Sequence, residues 1–231
     1  MSEYRSNIHA TTHTQSQIAR NRVLRNTYWL LTLSMIPTVL GAYLGLSLNF
    51  GAAMASSPGM SLILFFAGAF GLMFLVEKNK NNSLGVVFLL AFTFFMGIML
   101  SRLLGFVLGF QNGTQLIMLA FGGTGAVFFA MASVASTTKR DFTHLQRFLF
   151  TGVIILIVAA VANVFLQIPA LMLTVSVLAI AIFSAFLLVD LQRVINGGET
   201  NYITATLALY LSVYNIFSNL LALLGIFGGQ E

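Results

Sequence analysis

Seven long apolar segments tile this chain almost end to end, and no other feature of the sequence restricts its fold as strongly. They cover residues 28–48, 59–76, 84–106, 115–135, 145–166, 170–189 and 203–227. Each is close to the roughly 20 residues that a helix needs to cross the hydrocarbon of a bilayer. The segments are too long for barrel strands and lack a two-residue alternation of polar and apolar residues. The sequence therefore predicts an all-α integral membrane protein with seven transmembrane helices.

The scarcity of charge supports the same interpretation. Of the 231 residues, 58% are hydrophobic and 7% are charged, whereas an ordinary soluble domain has about 25% charged residues. So few charges do not cover the surface of a soluble fold, but lipid tails replace that polar exterior. The absence of cysteine excludes disulfides and thiolate metal sites. The net charge of +5 lies in the tail and loops, so no nucleic-acid partner is expected.

The basic residues between the segments predict the orientation of the chain. With seven spans, ten of the 11 Lys and Arg residues fall on one side, and Arg102 alone falls on the other. The positive-inside rule makes the basic side cytoplasmic and the C-terminus extracytoplasmic. We therefore predict a disordered cytoplasmic tail over residues 1–27, a membrane domain over 28–227 and a short extracytoplasmic end over 228–231. The polar tail does not resemble a removable signal peptide, although its composition also fits a mitochondrial presequence.

Polar residues at membrane depth are costly, so each one is a candidate functional residue. Asp190 ends the sixth span, where it either pairs with Arg193 or another basic neighbour, or acts as a protonatable gate or cation ligand. In the seventh span, small and polar residues recur at steps of three and four, which indicates a face turned towards the bundle. These residues are Ala205, Ala208, Ser212, Asn215, Asn219 and Ala222.

Three further features of the spans leave alternatives open. Asn215, Asn219 and Asn163 either hydrogen-bond between helices or line a polar pathway. Arg102 either snorkels to the interface, pairs within the bundle or forms an electrostatic barrier at the outer mouth. Small residues four positions apart indicate either close packing within one bundle or a dimer face. These pairs are Gly41 and Gly45, Ala67 and Gly71, Gly105 and Gly109, and Ala181 and Ala185.

Hydrolytic chemistry has little support in the sequence. No histidine lies inside a span, and the sequence contains neither a His-Glu-x-x-His zinc helix nor a Gly-x-Ser-x-Gly elbow. An intramembrane aspartyl protease needs two facing carboxylates, and Asp190 is the single carboxylate within or at the end of a span. We therefore expect no enzymatic activity and no resident cofactor.

Several runs, in order along the chain, carry a family resemblance. Asn-Val-Phe-Leu-Gln-Ile-Pro at 163–169, the segment from Asp190 through Gly-Gly-Glu-Thr-Asn-Tyr-Ile at 197–203, and Leu-Tyr-Leu-Ser-Val-Tyr-Asn-Ile-Phe at 209–217 lie in the last third. Together with Val-Leu-Arg-Asn-Thr-Tyr at 23–28 and Gly-Gly-Thr-Gly at 122–125, they resemble the Bax inhibitor-1 family, most closely its bacterial YccA-like branch. The resemblance covers nearly the whole chain from about Arg20. It implies a fold in which six helices surround a central seventh.

The resemblance also implies two candidate activities. Family members are described as pH-sensitive calcium leak channels that are gated by two aspartates on the last two helices. Members of the YccA-like branch are described as substrates and modulators of the membrane-anchored AAA protease FtsH, which engages a cytoplasmic N-terminal tail. Asp190 matches the first aspartate, whereas the second falls at Ser212. Two neighbouring carboxylates can share a proton through mutual repulsion, and a carboxylate opposite a serine lacks that repulsion.

We therefore expect an inner-membrane regulatory protein that binds and inhibits an FtsH-type protease, with a calcium or proton leak channel as the alternative. Its expected partners are the lipid bilayer, the protease and, for the alternative, the transported ion. The candidate residues of an ion or pH gate are Asp190, which is also the candidate calcium ligand, Ser212, Asn215, Asn219 and Arg193. Asn163 and Arg102 are the other polar residues expected to lie in the bundle.

Overall fold

Helices account for all the regular structure in the computed structural model, which describes the backbone of residues 2–228 and the side chains of residues 17 and 20–228. The helices are α1 (Ser2–Ser47), α2 (Phe50–Ala55), α3 (Pro58–Lys78), α4 (Ser83–Leu108), α5 (Gly113–Thr137), α6 (Leu145–Leu166), α7 (Pro169–Ile195) and α8 (Tyr202–Gly228). Seven of them are long and apolar enough to cross a membrane: part of α1, over Arg20–Ser47, and all of α3 to α8. The predicted all-α fold with seven spans is confirmed.

The helix boundaries differ from the predicted ones in three places. The helix that holds the first span starts well before the predicted residue 28, and Thr27 is already fully buried. α7 continues to Ile195, so Asp190 lies inside the helix and not at its end. The segment between the first two predicted spans, over residues 49–58, contains the short helix α2. Hydropathy marks the part of a helix that lies in hydrocarbon, whereas the hydrogen-bonded helix continues into the polar region on either side.

The two chain ends bear on the predicted domain limits. The backbone of α1 is helical from Ser2, although a disordered tail is predicted over residues 1–27. The division between a tail over residues 1–27 and a membrane domain from residue 28 stays a prediction. The predicted extracytoplasmic end at 228–231 lies outside the described residues except for Gly228.

α1 and α4 cross at small residues, which bring the two backbones into contact. A Cβ atom at Gly41 would overlap the carbonyl oxygen of Phe94, and one at Gly97 would overlap the carbonyl oxygen of Thr38. A Cβ at Gly45 would likewise overlap the side chain of Ser101. In lipid, helices associate through such close packing because hydrocarbon tails are as apolar as leucine. The spacing of Gly41 and Gly45 therefore forms a contact within the bundle.

α8 is the most enclosed of the spans. Within Tyr202–Gly228, all of which the structure describes, Phe227 alone is exposed. α8 packs against α1, α3, α4, α5 and α7, while α6 packs mainly against α7. No member of the predicted small and polar stripe is exposed, so that face does turn into the bundle. The arrangement of six helices around a central seventh stays a prediction.

Buried hydroxyl groups join α8 to two neighbouring helices at mid-membrane depth. The hydroxyl oxygen of Tyr210 lies 2.8 Å from that of Thr38 on α1 and 3.4 Å from the carbonyl oxygen of Thr93 on α4. The Tyr214 hydroxyl donates to the carbonyl oxygen of Met96 at 3.2 Å. Because the surroundings offer no water, each hydroxyl must find its partner inside the protein. The network therefore fixes α8 against the α1–α4 pair.

Candidate functional site

Asp190 is buried in α7 without a partner among the residues whose side chains are described. It lies five residues before the helix ends at Ile195 and is 8% exposed. Its carboxylate makes no hydrogen bond or ion pair with those residues. Arg193 and Glu199 are the charged groups whose fields reach it. They pair with each other, with Arg193 Nη2 lying 3.6 Å from Glu199 Oε2. The expected interfacial pairing of Asp190 with Arg193 is therefore not the arrangement that the structure has.

Ser212 lies on the neighbouring helix but not level with Asp190. It is 2% exposed and follows the start of α8 at Tyr202 by ten residues. α7 and α8 form an antiparallel hairpin, so counting from its turn puts Ser212 about 7.5 Å deeper along the helix axes than Asp190. The structure thus places both residues in one packed hairpin, with an axial offset of roughly one and a half turns.

The three asparagines predicted within the spans bond mainly within their own segments. Asn215 Nδ2 donates to the carbonyl oxygen of Leu211, and Asn219 Nδ2 donates to that of Asn215, both at 2.8 Å. Asn163 Oδ1 accepts the backbone N–H of Ile168 at 2.9 Å, and this bond closes the turn after α6. Asn215 and Asn219 are half-buried and bond within α8, while Asn163 acts as a cap.

Two amides that the sequence did not single out hold the loops at the basic end of the bundle. The buried side chain of Gln192 donates to the carbonyl oxygen of Arg140 at 2.7 Å and accepts the N–H of Phe142 at 3.1 Å. Asn201 caps α8 by accepting the N–H of Ile203, and its Nδ2 donates to the carbonyl oxygen of Lys80. An asparagine directly before an apolar run is a helix-start signal, so Asn201 was detectable from the sequence.

Two charged groups in these loops, Asp141 and Lys80, have local partners. Thr143 hydrogen-bonds to Asp141 through its side chain and its backbone N–H, and this lowers the pKa of the Asp141 carboxyl group. Lys80 pairs with Glu77, which raises the pKa of the lysine ammonium. Among the side chains that the structure describes, those of residues 17 and 20–228, no group of three His, Cys, Asp or Glu is arranged to hold a metal ion. Asp190 would meet a cation as a single carboxylate.

Arg102 lies at the opposite end of the bundle. It is exposed on α4 and lines two cavities, of about 320 Å³ and about 260 Å³. Asn215 and Ser218 of α8 line the larger cavity, so this cavity connects the polar stripe of α8 with Arg102.

Comparison with known proteins decides the family. A family model described as "Inhibitor of apoptosis-promoting Bax1" matches residues 20–229, which is most of the chain. The chain belongs to the Bax inhibitor-1 family. The resemblance deduced from the sequence motifs is thereby confirmed.

Bacterial proteins are among the relatives of this Bax inhibitor-1 family protein. A protein of Escherichia coli strain K12 named "Modulator of FtsH protease YccA" is 41% identical over 210 residues, which cover 91% of this chain and 92% of the relative. The corresponding protein of a second Escherichia coli strain is named an inner membrane protein and has the same identity and coverage. An uncharacterized membrane protein of Vibrio cholerae is 36% identical over 221 residues, 96% of each chain. The names of the relatives and the seven spans identify a multi-pass membrane protein.

Proposed function

We propose that this chain is a regulatory protein of the bacterial inner membrane that binds and restrains an FtsH-type AAA protease. The similarity to a relative named as a modulator of that protease, which extends over nearly the full length of both proteins, carries the proposal. The family and the name of this relative fit a non-enzymatic role. The basic end of the bundle, where α1 begins, is assigned to the cytoplasm by its Lys and Arg residues.

The N-terminal segment is the part of the chain that the protease would grip. Arg20 and Arg22 are exposed at the start of the first span, so the polar residues that precede them extend from the basic end. The 18 residues from Ser2 to Ala19 span about 27 Å as a helix, and more when extended. A AAA protease on the same membrane face would therefore have a terminal handle ahead of the first span.

Deleting residues 2–19 while keeping Arg20, Arg22 and Arg25 tests the handle. We expect the truncated protein to keep its thermal stability in detergent and to be degraded more slowly by the protease. A variant with residues 2–19 in shuffled order is the matched control, and it should be degraded at the wild-type rate. Degradation of the truncated protein at the normal rate would exclude the handle.

Restraint of the protease needs its own measurement. Raising the amount of the intact protein should slow the turnover of a second membrane substrate of the protease and should retain the protease during affinity purification. The truncated variant should do neither to the same extent. An unchanged turnover of the second substrate at high levels of the intact protein would show that the chain is a substrate and not a modulator.

The burial of Asp190 without a partner among the described side chains favours a cation leak as the second candidate function. A lone carboxylate inside a span is costly, and such residues commonly mark ion or proton pathways. In proteoliposomes, Asp190→Asn should reduce calcium flux because it removes the charge and keeps the size. Ser212→Asp should make the flux depend more steeply on pH between about pH 6 and 8, because it restores a second carboxylate. Equal fluxes from the wild type and both variants would contradict a gating role.

A further inference from the structure

Arg102 is an arginine without a partner in the apolar part of the protein. It lies six residues before the end of α4, which is about 9 Å inside the helix terminus. Its guanidinium makes no hydrogen bond or ion pair with any residue whose side chain is described, and the described residues at this end of the bundle include no Asp or Glu. A guanidinium has five N–H donors, and leaving them unsatisfied near hydrocarbon is costly.

The two cavities beside Arg102 have different linings. The larger one lies between α3, α4, α6 and α8, and its wall is mainly apolar, with Leu62, Phe65, Leu103 and Val164 among the lining residues. The smaller one lies between α1, α2 and α4. At about 320 Å³, the larger cavity is within the size range of small-ligand sites and has room for about ten water-sized groups.

The other side-chain donors of the larger cavity already have partners. The Ser61 hydroxyl donates to a backbone carbonyl oxygen of α2, and the Ser218 hydroxyl donates to the carbonyl oxygen of Asn215. The guanidinium is therefore the main unused donor of this cavity, and it is next to an apolar wall. The short helix α2 stays close to it, because a Cβ atom at Gly51 would lie 3.1 Å from the Cα atom of Arg102.

This combination matches an amphiphilic anion. A guanidinium binds the oxygens of a phosphate through two parallel N–H bonds, and its depth corresponds to the boundary between head groups and acyl chains. An apolar cavity that adjoins the guanidinium suits the first methylene groups of an acyl chain. We propose that Arg102 and the larger cavity form a binding site for an anionic phospholipid, with the phosphodiester on Arg102 and one acyl chain among α3, α4 and α8.

The proposal is tested with protein purified in a neutral detergent and titrated with phosphatidylglycerol, with bound lipid counted by native mass spectrometry. Arg102→Gln should weaken binding at this site about ten-fold or more, as expected for the loss of charge-assisted hydrogen bonds. Val164→Phe, which keeps the arginine and fills the cavity, should also weaken it. Arg147→Gln is the matched control, because Arg147 is an exposed arginine at the basic end of the bundle and lines neither cavity.

Three outcomes would overturn the proposal. Equal lipid binding by the wild type and Arg102→Gln would show that the arginine only reaches to the interface. An equal loss in Arg147→Gln would indicate general attraction between basic side chains and anionic lipid. If inorganic phosphate occupies the site in the wild type and in Val164→Phe but not in Arg102→Gln, the ligand is a free anion and not a lipid. Circular dichroism and thermal unfolding of each variant show that the fold is kept, so a loss of binding is not a loss of structure.

Discussion

Replacing Gly97 by alanine tests whether the contact between α1 and α4 holds the bundle together. The added Cβ would overlap the carbonyl oxygen of Thr38, so α1 and α4 must move apart. The matched control is Gly71→Ala on α3, where a Cβ would meet nothing within 4 Å. Both substitutions exchange glycine for alanine inside a transmembrane helix, so they differ mainly in the contact that the new methyl group makes.

The expected magnitudes follow from this difference. Overpacking costs about 1–3 kcal/mol, and the upper part of that range applies because backbone cannot yield as a flexible side chain does. Alanine gains about 1 kcal/mol over glycine in helix propensity. Gly97→Ala should therefore lower the free energy of unfolding by about 1–2 kcal/mol, whereas Gly71→Ala should leave it unchanged or raise it by up to about 1 kcal/mol.

Unfolding by sodium dodecyl sulfate in mixed micelles measures both variants. Helix content is followed by circular dichroism and local structure by the fluorescence of Trp29, the one tryptophan of the chain. Free energies that agree within about 0.5 kcal/mol for the two variants would refute the close-contact reasoning. A selective loss of stability in Gly71→Ala that depends on protein concentration would instead place Gly71 at an interface between copies.

Three further predictions concern the basic end of the bundle and the topology. Gln192→Leu removes both hydrogen bonds that hold the loop between α5 and α6. Trypsin should therefore cleave faster after Lys139 and Arg140. The control Gln115→Leu, at the other end of the bundle, should not change this rate. Asn201→Ala removes the cap of α8 and should cost about 0.5–2 kcal/mol of unfolding free energy, whereas Asn82→Ala should cost less because Asn82 makes no side-chain cap bond. A reporter fused after Glu231 should be extracytoplasmic and one within residues 139–141 cytoplasmic. Finding both on one side would contradict the three spans between these two points.

The spans were predictable because each is a local property of the sequence. A run of about 20 apolar residues determines both a helix and its environment, so all seven were found from hydropathy. Their ends were less predictable, as Asp190 illustrates. It was placed at a helix end because the apolar run stops there, but packing against α8 carries the helix on to Ile195.

The polar contacts depend on residues far apart in the sequence, and hydropathy carries no information about them. Gln192 meets the loop at residues 140–142, and Tyr210 meets Thr38, only because the helices pack in this order. The stripe on α8 was found from the sequence because its spacing is periodic. The bonds that its two asparagines make to carbonyl oxygens of the same helix were not predicted. The isolation of Arg102 was visible from the sequence, but its two cavities were not.

The crossing of α1 and α4 also determines how the protein would respond to a mechanical force. Both helices run in the same direction, and their contacts at Gly41, Gly45 and Gly97 extend over about two turns of each helix. A pull on the residues ahead of Arg20 acts along the axis of α1 and loads these contacts in shear, so they must break together and not one after another. In force spectroscopy from the N-terminus, the first helix should therefore give the highest rupture force, and extraction of the remaining spans should follow at lower force.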